Sequence, residues 1–410
     1  MVRPKFMQKL TREKRYNMIN EYAKEQNELL ESYLKTHIFS HWSNIDSSIG
    51  LNLISSYNNC LTEGGEFNTN DSPDLDKMKI FFEWIVEKNY FIPWIKISIA
   101  SQEDIALIQL LLNYSIIFDK IYMYVDGDYL FHSIDNAISI ATLLKDIGEH
   151  SKFCQPYFII GKDFDISAAQ AINSIIDCTW VYTISPNNVS DVNNFYREWL
   201  IAFNSDANLL FTYTTSGWTE DNNKELITFI LNQAKFHIDS TTNIADELFK
   251  KQSIYQIAST KGCENAYSLN INTHNLSIVV CGGVKQYDRL SIGSFVIEDG
   301  KIVSILENNL YGAILLYTSI DPKHKLKCDI CSFGTHCKGG CFTNNLNETK
   351  DLSLQHNEYC NIEKAKLIAL TKLFNMIPSL EDTLIELMDN PEYKDDIISY
   401  LGFAHKIGGM

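Results

Sequence analysis

Positive charge is scarce in this sequence: 35 Lys and Arg stand against 51 Asp and Glu over 410 residues, a formal net charge of −16. That balance argues against nucleic acid and anionic lipid as partners, although a basic peptide segment would still be attracted. Long apolar runs are lacking too. The stretch FFEWIVEKNYFIPW is interrupted by Glu, Lys, Asn and Pro, so no membrane span is expected. The opening segment MVRPKFMQKLTREKRYNMINEYAKEQNELL is charged throughout and has no apolar h-region. No secretory signal is therefore read, and a cytoplasmic location is expected. Low-complexity tracts and internal repeats are also missing, apart from a strand–helix alternation. An apolar fraction of 45% is ordinary for a globular chain of this length, with room for two or three domains.

That alternation is the first thing present. Short β-branched or aromatic runs recur at LNLISS (51–56), WIKISIA (94–100), IYMYVD (121–126), PYFIIG (156–161), TWVYTIS (179–185), LLFTYT (209–214) and KFHID (235–239). Helical segments lie between them. SQEDIALIQLLLNY opens on Ser101 with Asp104 three residues later, close to a capping box. SIDNAISIATLLKDIG is expected to stop at Gly148. The pattern predicts an α/β fold, with βα units around a parallel sheet forming an open or partial (βα)6-type barrel.

After Cys263 the character changes. AYSLNINTHNLSIVVC predicts two strands around Thr273-His274-Asn275, and GSFVIEDGKIVSI a hairpin turning at Asp299-Gly300. The helix EKAKLIALTKLFNMI follows, with Leu367, Leu370, Phe374 and Ile377 on one face. Polar helix is expected over 7–36, a loop over 60–76, and two short helices starting near Ser379 and at Asn390-Pro391.

Five of the ten cysteines crowd the C-terminal part: Cys328, Cys331, Cys337, Cys341 and Cys360, at intervals of two, five, three and eighteen residues. Three chemistries use such a set. A disulfide framework suits an oxidising compartment, which the composition does not suggest. Zinc is open, because Cys328-x-x-Cys331 is a common half-site, but Cys337-x3-Cys341 does not repeat the short spacing of a zinc ribbon. Iron–sulfur ligation fits thiolates embedded in backbone made approachable by Gly334, Gly339 and Gly340.

The spacing C-x2-C-x5-C-x3-C followed by a distant Cys resembles the SPASM domain of radical SAM peptide and protein maturases. The upstream counterparts are Cys263, Cys281 and Ile292-Gly293, so seven cysteines fall in order over about residues 260–372. One position departs. The family usually has Gly five residues before the second Cys, where this chain has Leu276. The resemblance implies two auxiliary [4Fe–4S] clusters. One would be ligated by Cys328, Cys331, Cys337 and Cys360; the other would be held by Cys263, Cys281 and Cys341, with its fourth ligand unassigned.

Radical SAM enzymes also carry C-x3-C-x2-C after the first barrel strand, where three thiolates bind the catalytic cluster and its open iron chelates S-adenosylmethionine. Here Cys60 stands at that place, followed by Gly64 and Phe67 at the next two ligand positions. The second strand ends ISIASQED instead of the family's Gly-Gly-Glu-Pro, and Gly64-Gly65-Glu66 is an echo in another place. One thiolate cannot hold such a cluster, so no S-adenosylmethionine binding or cleavage is expected.

Other chemistry-bearing residues read as structural. Asp126-Gly127-Asp128 suits a solvated turn, Cys154 and Cys178 buried small side chains, and His37 with His41 a surface or core pair lacking the Glu of a zinc-protease motif. His324 and His336 suit loop positions, and Cys281-Gly282-Gly283 suits cluster backbone better than phosphate binding. The aromatics (22 Phe, 21 Tyr, 6 Trp) suit a core, with some available to line a peptide groove.

The expected organisation is a helical segment over 1–48, a degenerate radical SAM-like βα barrel over 49–255, a SPASM domain over 256–377 and a helical tail over 378–410. The expected role is that of a cluster-binding partner of an active radical SAM enzyme, of a ribosomally synthesised precursor peptide, or of both. Two alternatives remain open. One is a stand-alone enzyme using an open iron of the auxiliary cluster. The other is a structural module in which clusters or zinc act as staples.

Overall fold

The computed structural model describes residues 50–54, 72–90, 92–127, 134–150, 154–204, 208–214, 217–239, 268–279, 291–307, 331, 349 and 357–376. The expected segments at 7–36 and after 378, and Cys60, lie outside these residues.

Six strand–helix units follow one another: β1 (Gly50–Ile54), α1 (Leu75–Glu87), β2 (Ile92–Ile99), α2 (Gln102–Leu112), β3 (Phe118–Asp126), α3 (Ile134–His150), β4 (Cys154–Ile160), α4 (Ile166–Asn173), β5 (Thr179–Ile184), α5 (Val192–Phe203), β6 (Leu209–Tyr213) and α6 (Glu220–Asp239). Then come β7 (Ser268–Asn272), β8 (Ser277–Val279), β9 (Ser291–Glu298), β10 (Lys301–Glu307) and α7 (Asn357–Met376). The first six predicted strands are present. The seventh is not: 235–239 is the end of α6. The helix is already established by buried Leu226, Phe229, Ile230 and Gln233 at helical spacing, and five residues of modest strand propensity do not interrupt its backbone. α3 likewise passes Gly148 and runs to His150, because Ala141, Leu144 and Ile147 keep the helix docked on the sheet.

All ten strands share one sheet, in the order β10-β9-β8-β7-β1-β2-β3-β4-β5-β6. From β7 through β1 to β6 every pairing is parallel, and β7 to β10 form an antiparallel meander. The architecture is α/β. Among the described residues the sheet is open, with β10 and β6 at its edges. No helix among them is long and apolar enough to cross a membrane.

The six βα strands are adjacent in chain order. Right-handed crossovers repeated in one direction place every helix on the same face. The buried side chains agree. Leu51, Leu53, Ile95, Ile97, Met123, Val125, Phe158, Trp180, Tyr182 and Phe211 join the helices in one core. Alternate positions face the other way and form a smaller cluster of Tyr122, Tyr124, Tyr157, Ile159, Val181 and Leu210. Residues further along that second face include Asn52, Trp94, Lys96 and Ser98.

The predicted local signals are visible as contacts. Ser101 Oγ accepts from Asp104 N at 3.2 Å, while Asp104 Oδ2 accepts from Ala100 N at 2.9 Å. The β9–β10 hairpin turns at Asp299-Gly300, with both residues at positive φ (49° and 74°) as a two-residue turn requires. Gly50 answers a different need. A Cβ there would fall on ring atoms of Trp94, whose indole lies flat against β1. Gly50→Ala is expected to lower stability by about 1–3 kcal/mol, read as a lower urea midpoint. An unchanged midpoint would mean that Trp94 is free to leave β1.

Candidate metal centre

α7 carries the last predicted cysteine ligand. It packs along α6, and its apolar side is made of Ile362, Ala365, Leu367, Ala369 and Leu373, all buried. Its N-terminal end is pinned by Glu358, whose Oε2 accepts from Gly217 N and, at 3.3 Å, from Trp218 N in the β6–α6 connection. One turn further in, Lys366 Nζ lies 2.7 Å from Glu363 Oε1. Both side chains are almost completely buried, at 4% and 8% exposure. The same ammonium sits 4.5 Å from the ring centroid of Tyr213 at the end of β6. Burial, with Glu363 nearby, pushes the Tyr213 phenol well above its usual range. α7 is thus fixed to the sheet by a polar clasp as well as by apolar contact.

Cys360 lies in the first turn of α7, so this clasp sets its position. The thiol is half-buried and free, as is Cys331. Burial raises the pKa of Cys360; the Lys364 ammonium pulls it back, and Cys331 pushes it up again. Thiolate sulfur is a soft donor that favours thiophilic metals. Cys263, Cys281, Cys328, Cys337 and Cys341 lie outside the described residues, and among the described residues no three metal-binding side chains converge.

Cys154 and Cys178 belong to a different environment. Cys154 is packed against the main core, and burial raises its pKa to about 12. Cys178 is buried and donates to Asn173 Oδ1 at 3.1 Å; burial, followed by Asp177, raises it further. A thiol with a pKa near 12 is only about one part in ten thousand thiolate at pH 8. Native alkylation with iodoacetamide at pH 8 should leave both unmodified and label them only after unfolding. Rapid labelling of either in the folded chain would contradict the burial described here.

The β7–β8 connection turns at Thr273-His274-Asn275 and is closed by Leu276, whose N–H donates to Asn272 O at 2.9 Å. Leu276 is fully buried and sits at φ 56°, in the left-handed region that favours glycine. The charged and aromatic row on the second face of the sheet was not singled out from the sequence. The signal available was alternation: Trp94, Lys96 and Ser98 interleave with Ile95, Ile97 and Ile99, whereas a strand buried on both faces reads as a continuous apolar run.

A scan against protein-family models finds no matching family, and a search of curated proteins finds no match.

Proposed function

We propose that this chain is an iron–sulfur-cluster-binding partner in the radical SAM-dependent maturation of a ribosomally synthesised peptide, itself unable to cleave S-adenosylmethionine. The observation that carries this reading is the ordered set of seven cysteines, Cys263, Cys281, Cys328, Cys331, Cys337, Cys341 and Cys360, with the spacing of the SPASM pattern. Cys328, Cys331, Cys337 and Cys360 would form one [4Fe–4S] site, and Cys263, Cys281 and Cys341 would hold the second. Leu276 adds support. The position where the SPASM pattern usually has Gly carries the backbone conformation that favours Gly, although the residue has changed.

The chain-ordered parallel sheet with its helices on one face is compatible with a partial radical SAM-type barrel. In this reading the barrel supplies a surface for peptide or enzyme, and the meander and α7 frame the cluster domain. When bound, the clusters supply electron relay, a thiolate-binding iron or structural support. The residues of the chain place the ligands: Glu358 and the Lys366–Glu363 pair hold α7, and α7 holds Cys360.

The test is anaerobic expression of the full chain with iron, sulfide and 5′-deoxyadenosine analysis, followed by co-purification with a C-x3-C-x2-C enzyme encoded beside a precursor peptide. About eight irons per chain, no cofactor cleavage by the chain alone, and retention of enzyme or peptide are expected. About twelve irons with cofactor cleavage, or a colourless zinc protein, would overturn the proposal.

A further inference from the structure

α7 docks through a face that mixes apolar and charged side chains. Ile362, Ala365, Ala369 and Leu373 are buried along the side that lies on α6, while Asn361, Lys372 and Asn375 are exposed. An apolar stripe of this kind says little about register. A slip of one helical turn, about 5.4 Å, would put Ala365 where Ala369 lies, alanine for alanine.

Two polar contacts do distinguish registers. Lys366 Nζ sits 4.5 Å from the centroid of the Tyr213 ring and is held at 2.7 Å by Glu363 Oε1. The pair and the ring are all buried. Nearer the N-terminus of α7, Glu358 Oε2 accepts from Gly217 N and Trp218 N. A one-turn slip would carry the ammonium off the ring and the carboxylate off both amides, leaving backbone donors unmatched.

Stability alone does not account for the pair. Desolvation offsets much of the attraction in a buried ion pair, and apolar side chains of similar volume often serve a core as well or better. What charge adds is selectivity among dockings that apolar contact leaves nearly equal, as a buried Asn does in paired helices. Cys360 lies between Glu358 and Glu363 in sequence, so register decides where its sulfur stands. A displacement of about 5.4 Å exceeds a metal–thiolate bond of ~2.3 Å more than twofold.

We infer that Glu363 and Lys366, seated on the Tyr213 ring, are positioning residues that key the register of α7 and so fix the place of the Cys360 thiol. The inference rests on the reading of Cys360 as a cluster ligand and deepens it by naming what places that ligand. The register itself is read without any metal.

The test compares the full anaerobic chain with the apolar variant Glu363→Leu/Lys366→Met. Hydrogen exchange, read by mass spectrometry, follows the peptide holding Gly217 and Trp218, with the peptide holding Met123 in β3 as reference. The variant should keep the parent's urea midpoint or exceed it. Exchange at Gly217 and Trp218 should nevertheless be about tenfold faster, with Met123 unchanged. Iron should pass to a chelator at least about threefold faster than from the parent. If the double variant fails to fold, Tyr213→Leu, which removes the ring and keeps the ion pair, should show the same local acceleration. Parent-like exchange in the folded variants would overturn the inference. So would equal acceleration at Met123, which would mean that the pair serves stability alone, or fast exchange with unchanged iron release, which would mean that register does not place the ligand. A parent without iron would refute the cluster reading, while the exchange rates would still decide the register.

Discussion

The double variant Cys331→Ala/Cys360→Ala is expected to contain about four irons per chain where the parent contains about eight. A single substitution is a weaker test, because three thiolates can still retain a four-iron cluster with one iron open. Removing two leaves Cys328 and Cys337, too few to hold it. Cys331 and Cys360 both belong to the four cysteines that the SPASM resemblance assigns to one cluster, and Cys360 is held in the first turn of α7. Cys154→Ala and Cys178→Ala supply the contrast. Both thiols are held protonated in or beside the core, and neither substitution should change the iron count. Iron and acid-labile sulfide, together with the visible absorption of anaerobic protein, read the result. An iron content in the double variant equal to the parent's would remove the assignment of these two ligands. Stoichiometric zinc in the parent would replace the cluster with a staple.

Lys366→Met is expected to cost about 3–5 kcal/mol of stability, seen as a large fall in the denaturant midpoint. The ammonium is nearly inaccessible and is held at 2.7 Å by Glu363, with the Tyr213 ring beneath it. Replacing it with an apolar side chain of similar length leaves the Glu363 carboxylate buried without its counter-charge. The loss comes mainly from that stranded charge, because the intact pair has already been charged for its own desolvation. The double variant Glu363→Gln/Lys366→Met should therefore recover most of the stability. If the single and double variants were equally unstable, packing of the stem rather than charge pairing would explain the effect. If neither lost stability, α7 would not depend on the clasp. The surface pair Lys224–Asp221, at 2.9 Å but with both side chains largely exposed, is the internal comparison: Lys224→Met should change stability by less than about 1 kcal/mol.

The strands at 94–100, 121–126 and 156–161 were legible because their core-facing positions are filled by Ile, Met, Val and Phe, and a parallel strand covered by helices needs those types. The caps at Ser101 and the turn at Asp299-Gly300 were legible because a few atoms decide them. The end of α6 was misread because five residues with only two apolar positions, Phe236 and Ile238, do not distinguish strand from helix by periodicity.

By itself the sequence determined the α/β class, the order of the βα units, the hairpins after Cys263 and the cysteine spacing from which a thiolate centre is argued. Those features rest on local propensity and on residue types at fixed intervals. The tertiary structure decided that β7 joins β1, so that the meander extends the same sheet. It also buried the Lys366–Glu363 pair against Tyr213 and laid the Trp94 indole over Gly50 of β1. Each of these depends on which surfaces meet when the chain collapses, and a one-dimensional pattern carries no information about distances between segments that touch only after folding.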